Sequence, residues 1–287
     1  MGICAPILPA AAQLCKNSHL RIDFSGFPCY ILGMSFRKPQ DIALELVPRS
    51  LDGILAESKE SLATFPFVTS VNVPEIRRLP IKSFEPSLKL LENSVPTTPH
   101  FRMIDRSEKE LIEKISHLVR AGLKQVLLIG GDPPKDKPDF VPSGLSTLQG
   151  IKAVKREFPA LKVFAGLDPY RNPFREELDY AFRKQEAGAD GFYTQPFFSI
   201  GMLELWAEQL PDTEIYFGIA PVYTEKSRNY WERVNKVVFP PDFSFARDYN
   251  TRLARQLLVT ISETKARACL QPVSNGALEY LQDIFNA

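Results

Sequence analysis

A carboxyl group set in an apolar run is the first place where this chain could do chemistry. Glu45 lies within Ile42-Ala-Leu-Glu-Leu-Val-Pro48. A carboxyl desolvated by such neighbours keeps its proton to a higher pH than usual, which suits a proton donor near neutrality. The same setting fits a Glu paired with a buried Lys or Arg, or one facing a solvated gap, and position alone does not separate these readings. Asp132 follows Leu127-Leu-Ile-Gly-Gly131, where two glycines permit a ligand to approach the backbone closely; turn formation is the plainer role. Gln195, in Gly191-Phe-Tyr-Thr-Gln-Pro-Phe-Phe198, offers one donor and one acceptor to the edge of a flat heterocycle. Aromatic packing alone accounts for Phe197 and Phe198.

Asn72 closes Thr69-Ser-Val-Asn-Val73 and suits either a ligand contact or a cap on its own loop. His100, in Thr97-Thr-Pro-His-Phe101, is a lone histidine in an extended segment, more often a hydrogen-bonded core residue than an acid or base. Arg183 and Lys184 could face phosphates, although solvated helix charges are commoner. The cysteines at 4, 15, 29 and 269 show neither a C-x-x-C spacing nor histidine partners. No metal site and no disulfide framework are expected, and a reducing, cytoplasmic setting follows.

Elements that could position these side chains recur along the chain. Short runs rich in β-branched residues predict strands at Ile42–Val47, Phe67–Asn72, Thr97–Met103, Gln125–Ile129, Lys162–Ala165, Gly191–Thr194, Glu214–Gly218 and Arg267–Gln271. Amphipathic segments lie between them, as at Leu111, Ile115, Leu118 and Val119, with Ser107 as N-cap and Glu110 completing a capping box. Gly122 stops that helix, Asp52 caps the segment through Phe65, Ser146 the one through Phe158, and Asn172 with Pro173 opens the helix that ends before Gly188. Eight rounds of strand and helix predict a (β/α)8 TIM barrel in a single domain, residues 34–287, with its site at the carboxyl ends of the strands. An open doubly wound sheet is the alternative, weakened because no Gly-x-Gly-x-x-Gly follows the first strand. The stretch Gly130 to Gly144 becomes a loop on the site face.

Residues 1–33 read as a poorly ordered N-terminal extension, with a short hairpin or helix plugging the barrel bottom as the alternative. Their apolar stretch from Ala5 to Leu14 has no basic segment before it and falls short of the roughly 20 residues that span a bilayer. A formal net charge of +1 with 24% charged residues provides no field to gather nucleic acid or an anionic membrane. A small-molecule ligand fits better.

Taken together, Leu44-Glu-Leu-Val-Pro-Arg49, Pro99-His100, Ile129-Gly-Gly-Asp-Pro-Pro134, Arg183-Lys-Gln-Glu-Ala-Gly-Ala-Asp190, Tyr193-Thr-Gln-Pro-Phe-Phe198 and Gly218-Ile-Ala-Pro-Val222 occur in an order and spacing that resembles the methylenetetrahydrofolate reductase family, over about Ile42 to Phe285. The resemblance implies reduction of 5,10-methylenetetrahydrofolate to 5-methyltetrahydrofolate with NAD(P)H, a step of one-carbon metabolism that serves methionine biosynthesis. It places Glu45 as general acid, Asp132 as the carboxylate that binds the pterin and steadies a developing cation, and Gln195 with Asn72 as substrate contacts. It also implies FAD, with His100, Gly131, Glu177, Arg183 and Lys184 at the cofactor.

Several positions depart from that pattern. Gly130 stands where flavin-dependent members carry an arginine, Gly166 and Tyr170 where they carry a tyrosine and a histidine, Tyr180 for an asparagine and Glu177 for an aspartate. Loss of a charge facing a pyrophosphate costs a few kcal/mol, on the order of a hundredfold in affinity. Direct hydride transfer from the nicotinamide therefore stands beside flavin use. Two further readings remain, a folate-dependent methyltransferase and a non-catalytic folate-binding subunit of a larger complex. A homo-oligomer or a partner subunit is compatible with all of them.

Overall fold

The computed structural model describes residues 41–133, 139–142, 144–273 and 276–286. The extension over residues 1–33, its boundary near Met34 and much of the loop after Asp132 lie outside them. Eight parallel strands close into a barrel in sequence order: β1 (Ile42–Glu45), β2 (Val68–Val73), β3 (Thr97–Arg102), β4 (Gln125–Ile129), β5 (Lys162–Leu167), β6 (Gly191–Pro196), β7 (Glu214–Ile219) and β8 (Arg267–Leu270). β1 pairs with β2 on one side and with β8 on the other, Ala43 opposite Cys269, which makes the closing seam. The (β/α)8 expectation is met, and every expected strand is present with ends shifted by at most two residues.

Helices follow the strands: α1 (Leu51–Thr64), α2 (Phe84–Glu92), α3 (Glu108–Arg120), α4 (Thr147–Glu157), α5 (Phe174–Glu186), α6 (Ile200–Gln209), α7 (Glu225–Val234), α8 (Arg247–Ser262) and α9 (Ala277–Phe285). Their starts correct three expectations. Ser50, not Asp52, caps α1 by accepting from the Gly53 amide, while Asp52 pairs with Lys89. Ser107 caps α3 through the Glu110 amide, but the Glu110 carboxylate turns to Arg106 and Lys114 and leaves the box open. The full reciprocal box is at Ser146 and Gln149. Asn172 makes no cap; its carboxamide donates to Glu177. Gly122 and Gly188, with φ of 98° and 110°, end α3 and α5 as expected, because a left-handed residue turns the chain off the helix without a Cβ clash.

Strand residues alternate between the helix layer and the barrel lumen. Ala43, Leu127, Phe164, Tyr193, Tyr216 and Cys269 fill one lumen layer. The Tyr193 and Tyr216 rings stack at 4.2 Å, and Phe164 meets both edge-on. This plug makes the barrel a packed core and not a channel. Two residues further along the same strands, at the carboxyl end, come Glu45, Ile129, Gly166, Gln195, Gly218 and Gln271. Small residues at 166 and 218 keep the mouth from filling in the same way.

Candidate active site

Glu45 ends β1 at that mouth. It is partly exposed and, among the described residues, has neither an ion-pair nor a hydrogen-bond partner. Loss of water without a compensating cation raises its pKa from 4.5 to about 7. A cleft of about 230 Å³ opens beside it between the loops after β1 and β8, walled by Arg49, Ser50, Pro272 and Gly276. Cys269 lies beneath, its thiol pushed well up by burial and then by the Glu45 charge.

Asn72 sits opposite Glu45 in the β1–β2 register and is wholly buried. Among the described residues its amide nitrogen reaches only the Cys269 sulfur, at 3.8 Å, and its carbonyl oxygen has no partner. Across the mouth the Gln195 carboxamide has no protein partner among the described residues. Gly218 leaves room for the β6 backbone and for Gln271: a Cβ there would lie 2.8 Å from the Thr194 carbonyl oxygen and 3.0 Å from Gln271 Nε2. Unpaired buried polar atoms are rare in a finished core and mark a place where a ligand completes the bonding. Phe197 and Phe198 do not stack on such a ligand. Phe197 packs on Phe217, and Phe198 on Trp231, Phe239 and Phe243.

The β3 to β5 side of the mouth is built from charges. Arg102 ends β3, 8% exposed, with its Nη2 donating to the Asp132 carbonyl at 3.0 Å and to Asp105, and with its Nε unpartnered. Gly131, at φ 85°, lets the guanidinium lie against the turn, since a Cβ there would meet Arg102 Nε at 3.1 Å. The Asp132 carboxylate projects outward and pairs with Arg171 at 2.8 Å. Arg171 also contacts Asp168 at 3.3 Å. Behind them Lys184 donates to Glu177 and to the Gly166 carbonyl, both side chains 4% exposed. Burial lowers the lysine pKa and the Glu177 charge opposes that fall.

His100 faces the lumen below the rim, in register with Leu127. Desolvation drops its pKa to about 3, and Nε2 has no partner. It is therefore a neutral ring at physiological pH. Arg183 is exposed and lies over the Tyr180 ring. Among the residues singled out from sequence, Glu45 and Asn72 are neighbours across one strand pair, while Asp132 and Gln195 end other strands at the same rim. His100 is one layer deeper, and Lys184 with Glu177 is inside the wall. Arg102, Arg171 and Gln271 escaped the sequence reading. Arg102 was findable, as the second residue beyond His100 on a strand already placed; Arg171 sits in a loop that has no period to betray it.

Among the described residues no three His, Cys, Asp or Glu side chains cluster to hold a metal, and no helix is long and apolar enough to cross a membrane. The fold is similar to that of oxaloacetate acetylhydrolase in complex with the product oxalate, at 11% identity over 84% of this chain and 78% of that chain, TM-score 0.52. It is also similar to QR15, an aldolase, at 15% identity over 87% and 97%, TM-score 0.51. These likenesses speak for the barrel alone. No curated protein matches the chain. The family profile described as methylenetetrahydrofolate reductase matches residues 87–250, more than half of the chain. The chain belongs to the methylenetetrahydrofolate reductase family. The matched segment of that folate-related oxidoreductase family runs from α2 into α8 and holds Asp132 and Gln195, whereas Glu45 and Asn72 precede it.

Members of the methylenetetrahydrofolate reductase family generally use a flavin, so the charged contacts available here can be tested for fit. Lys184 and Glu177 satisfy each other inside the wall, and Glu177 also accepts from the Asp168 amide and from Asn172. Reaching a pyrophosphate would break a buried pair, at about 3–5 kcal/mol. Gly130 supplies no charge. A flavin held through Glu177 and Lys184 does not fit this arrangement.

Proposed function

We propose that this protein reduces 5,10-methylenetetrahydrofolate to 5-methyltetrahydrofolate, taking hydride directly from NADH or NADPH. The observation that carries the reading is Glu45, a carboxyl at the barrel mouth with no partner among the described residues, which holds a proton up to about pH 7. Its family supports the substrate class.

In this reading the pterin lies across the mouth, its edge on Asp132 and on the free Gln195 carboxamide, with the Asn72 carbonyl as a further acceptor. Glu45 gives its proton to the bridging nitrogen, the bond from that nitrogen to the methylene carbon breaks, and an iminium cation forms at the other nitrogen. In this reading the cation is balanced by Glu45, now deprotonated, and by the Asp132 carboxylate. Hydride from the nicotinamide then adds to the methylene carbon. One substrate, one NAD(P)H and one proton give methyl product and NAD(P)⁺. The plug of Phe164, Tyr193 and Tyr216 forms the floor and excludes water from below.

Purified protein incubated with methylenetetrahydrofolate and either nicotinamide, with and without added FAD, should form methyltetrahydrofolate without FAD. No product under any of these conditions would exclude the reaction. An absorbance scan of the protein as purified, free of a flavin band, is the companion result.

A further inference from the structure

Asp132 is occupied before any substrate arrives. Its Oδ1 receives Arg171 Nη1 at 2.8 Å, and both side chains are about half exposed, 58% and 47%. Exposed pairs of this kind are screened and contribute about 0.2–1 kcal/mol. The backbone of the same residue is held independently, through its carbonyl on the buried Arg102. Removing Arg171 from the carboxylate would therefore leave the turn in place.

Arg171 has somewhere else to remain. Its Nε contacts Asp168, which is 17% exposed in its side chain and anchored by accepting from the Tyr170 amide at 3.1 Å. The guanidinium is thus tethered at one end to a largely buried carboxylate and rests at the other on an exposed one. Asp132 Oδ2 receives no bond from the described residues. A ligand that presents two adjacent N–H groups, as a 2-amino-pyrimidinone ring does, needs both oxygens.

We propose that Arg171 is a displaceable latch on Asp132, a positioning residue that occupies the carboxylate in the free protein and swings onto Asp168 when a pterin-type donor edge binds. This rests on the folate reading above. The latch competes with substrate, so its removal tightens binding, opposite to the effect of deleting a ligand contact or damaging the loop.

Calorimetry with tetrahydrofolate on the full chain tests it. Wild type should bind, and Arg171→Met should bind about 1.4- to 5-fold tighter, the factor equivalent to an exposed ion pair. The gain should shrink as salt is raised from low to about 0.5 M, Arg171→Lys should restore wild-type affinity, and the gain should vanish when Asp132→Asn is present in both backgrounds. Equal or weaker binding by Arg171→Met, with wild type binding, overturns the latch and leaves the folate reading standing. Absence of binding by wild type overturns the folate reading, and the latch with it.

Discussion

The two sides of the barrel mouth handle carboxyl groups in opposite ways. On the β1 and β8 side, Glu45 has no ion-pair partner among the described residues and its proton affinity rises. On the β3 to β5 side, Asp132, Asp168 and Glu177 each face a guanidinium or ammonium within 3.3 Å. One fold thereby keeps an acid that can give a proton beside carboxylates that offer charge. The difference lies in which cations reach the carboxyls: the β5–α5 loop brings Arg171 onto Asp132 and Asp168, whereas Arg49, on the wall of the cleft beside Glu45, forms no ion pair with it.

The contrast breaks first at Glu45. Glu45→Gln removes the proton donor while keeping shape, and kcat for methylenetetrahydrofolate should fall by about 10²- to 10⁴-fold, with folate affinity changed little. Full turnover by this variant would refute the assigned role. Next in size is the wall pair. Lys184→Met leaves Glu177 buried without its cation and should lower stability by about 3–5 kcal/mol in thermal or denaturant melting, whereas the Arg171 variants should melt close to wild type.

Asp132→Asn should lower kcat by about ten- to a hundredfold, more than it weakens folate binding, since a neutral amide cannot balance the iminium charge. Equal losses in both would make Asp132 a pure binding residue.

The smallest effect is one of pH. Below about pH 4.5 Glu45 is protonated in both folded and unfolded chains and costs nothing. Between about 4.5 and 7 the unfolded chain ionises while the folded group holds its proton, so stability declines across that window. Such a shift amounts to about 3 kcal/mol at most, and partial exposure reduces it to about 2 kcal/mol. Glu45→Gln should therefore melt higher than wild type at pH 8 and match it near pH 4. Turnover limited by this acid should fall as pH rises through about 7. His100 runs the other way, losing stability as pH drops from 6.5 toward 3.

Much of this architecture was legible because its signals are local. Runs such as Gln125–Ile129 match a strand in both ends, and glycines at 122 and 188 stop their helices for a steric reason that sequence carries. Glu45 was legible as well, being a charge inside an apolar run. Its lack of a partner was not, since that depends on what β2 and β8 bring beside it. Ser50 outcompetes Asp52 as a cap because chain geometry, not residue rank, sets which side chain reaches the Gly53 amide. Lys184 read as a phosphate contact or a solvated helix charge, yet α5 turns it inward to a carboxylate seven residues earlier and a strand carbonyl. Such pairings are decided by helix rotation against the barrel, which no linear pattern records.

The seam between the first and last strands has a consequence for biosynthesis. Ile42, Ala43 and Leu44 complete their bonding only against Ala268, Cys269 and Leu270, more than two hundred residues downstream. On a nascent chain, Glu45 would remain at a bare sheet edge, wetted and of ordinary acidity, until β8 had been made. The proposed proton donor then matures only once β8 is in place, and a product truncated before Arg267 would carry every residue of the charged side of the mouth yet lack the raised acid.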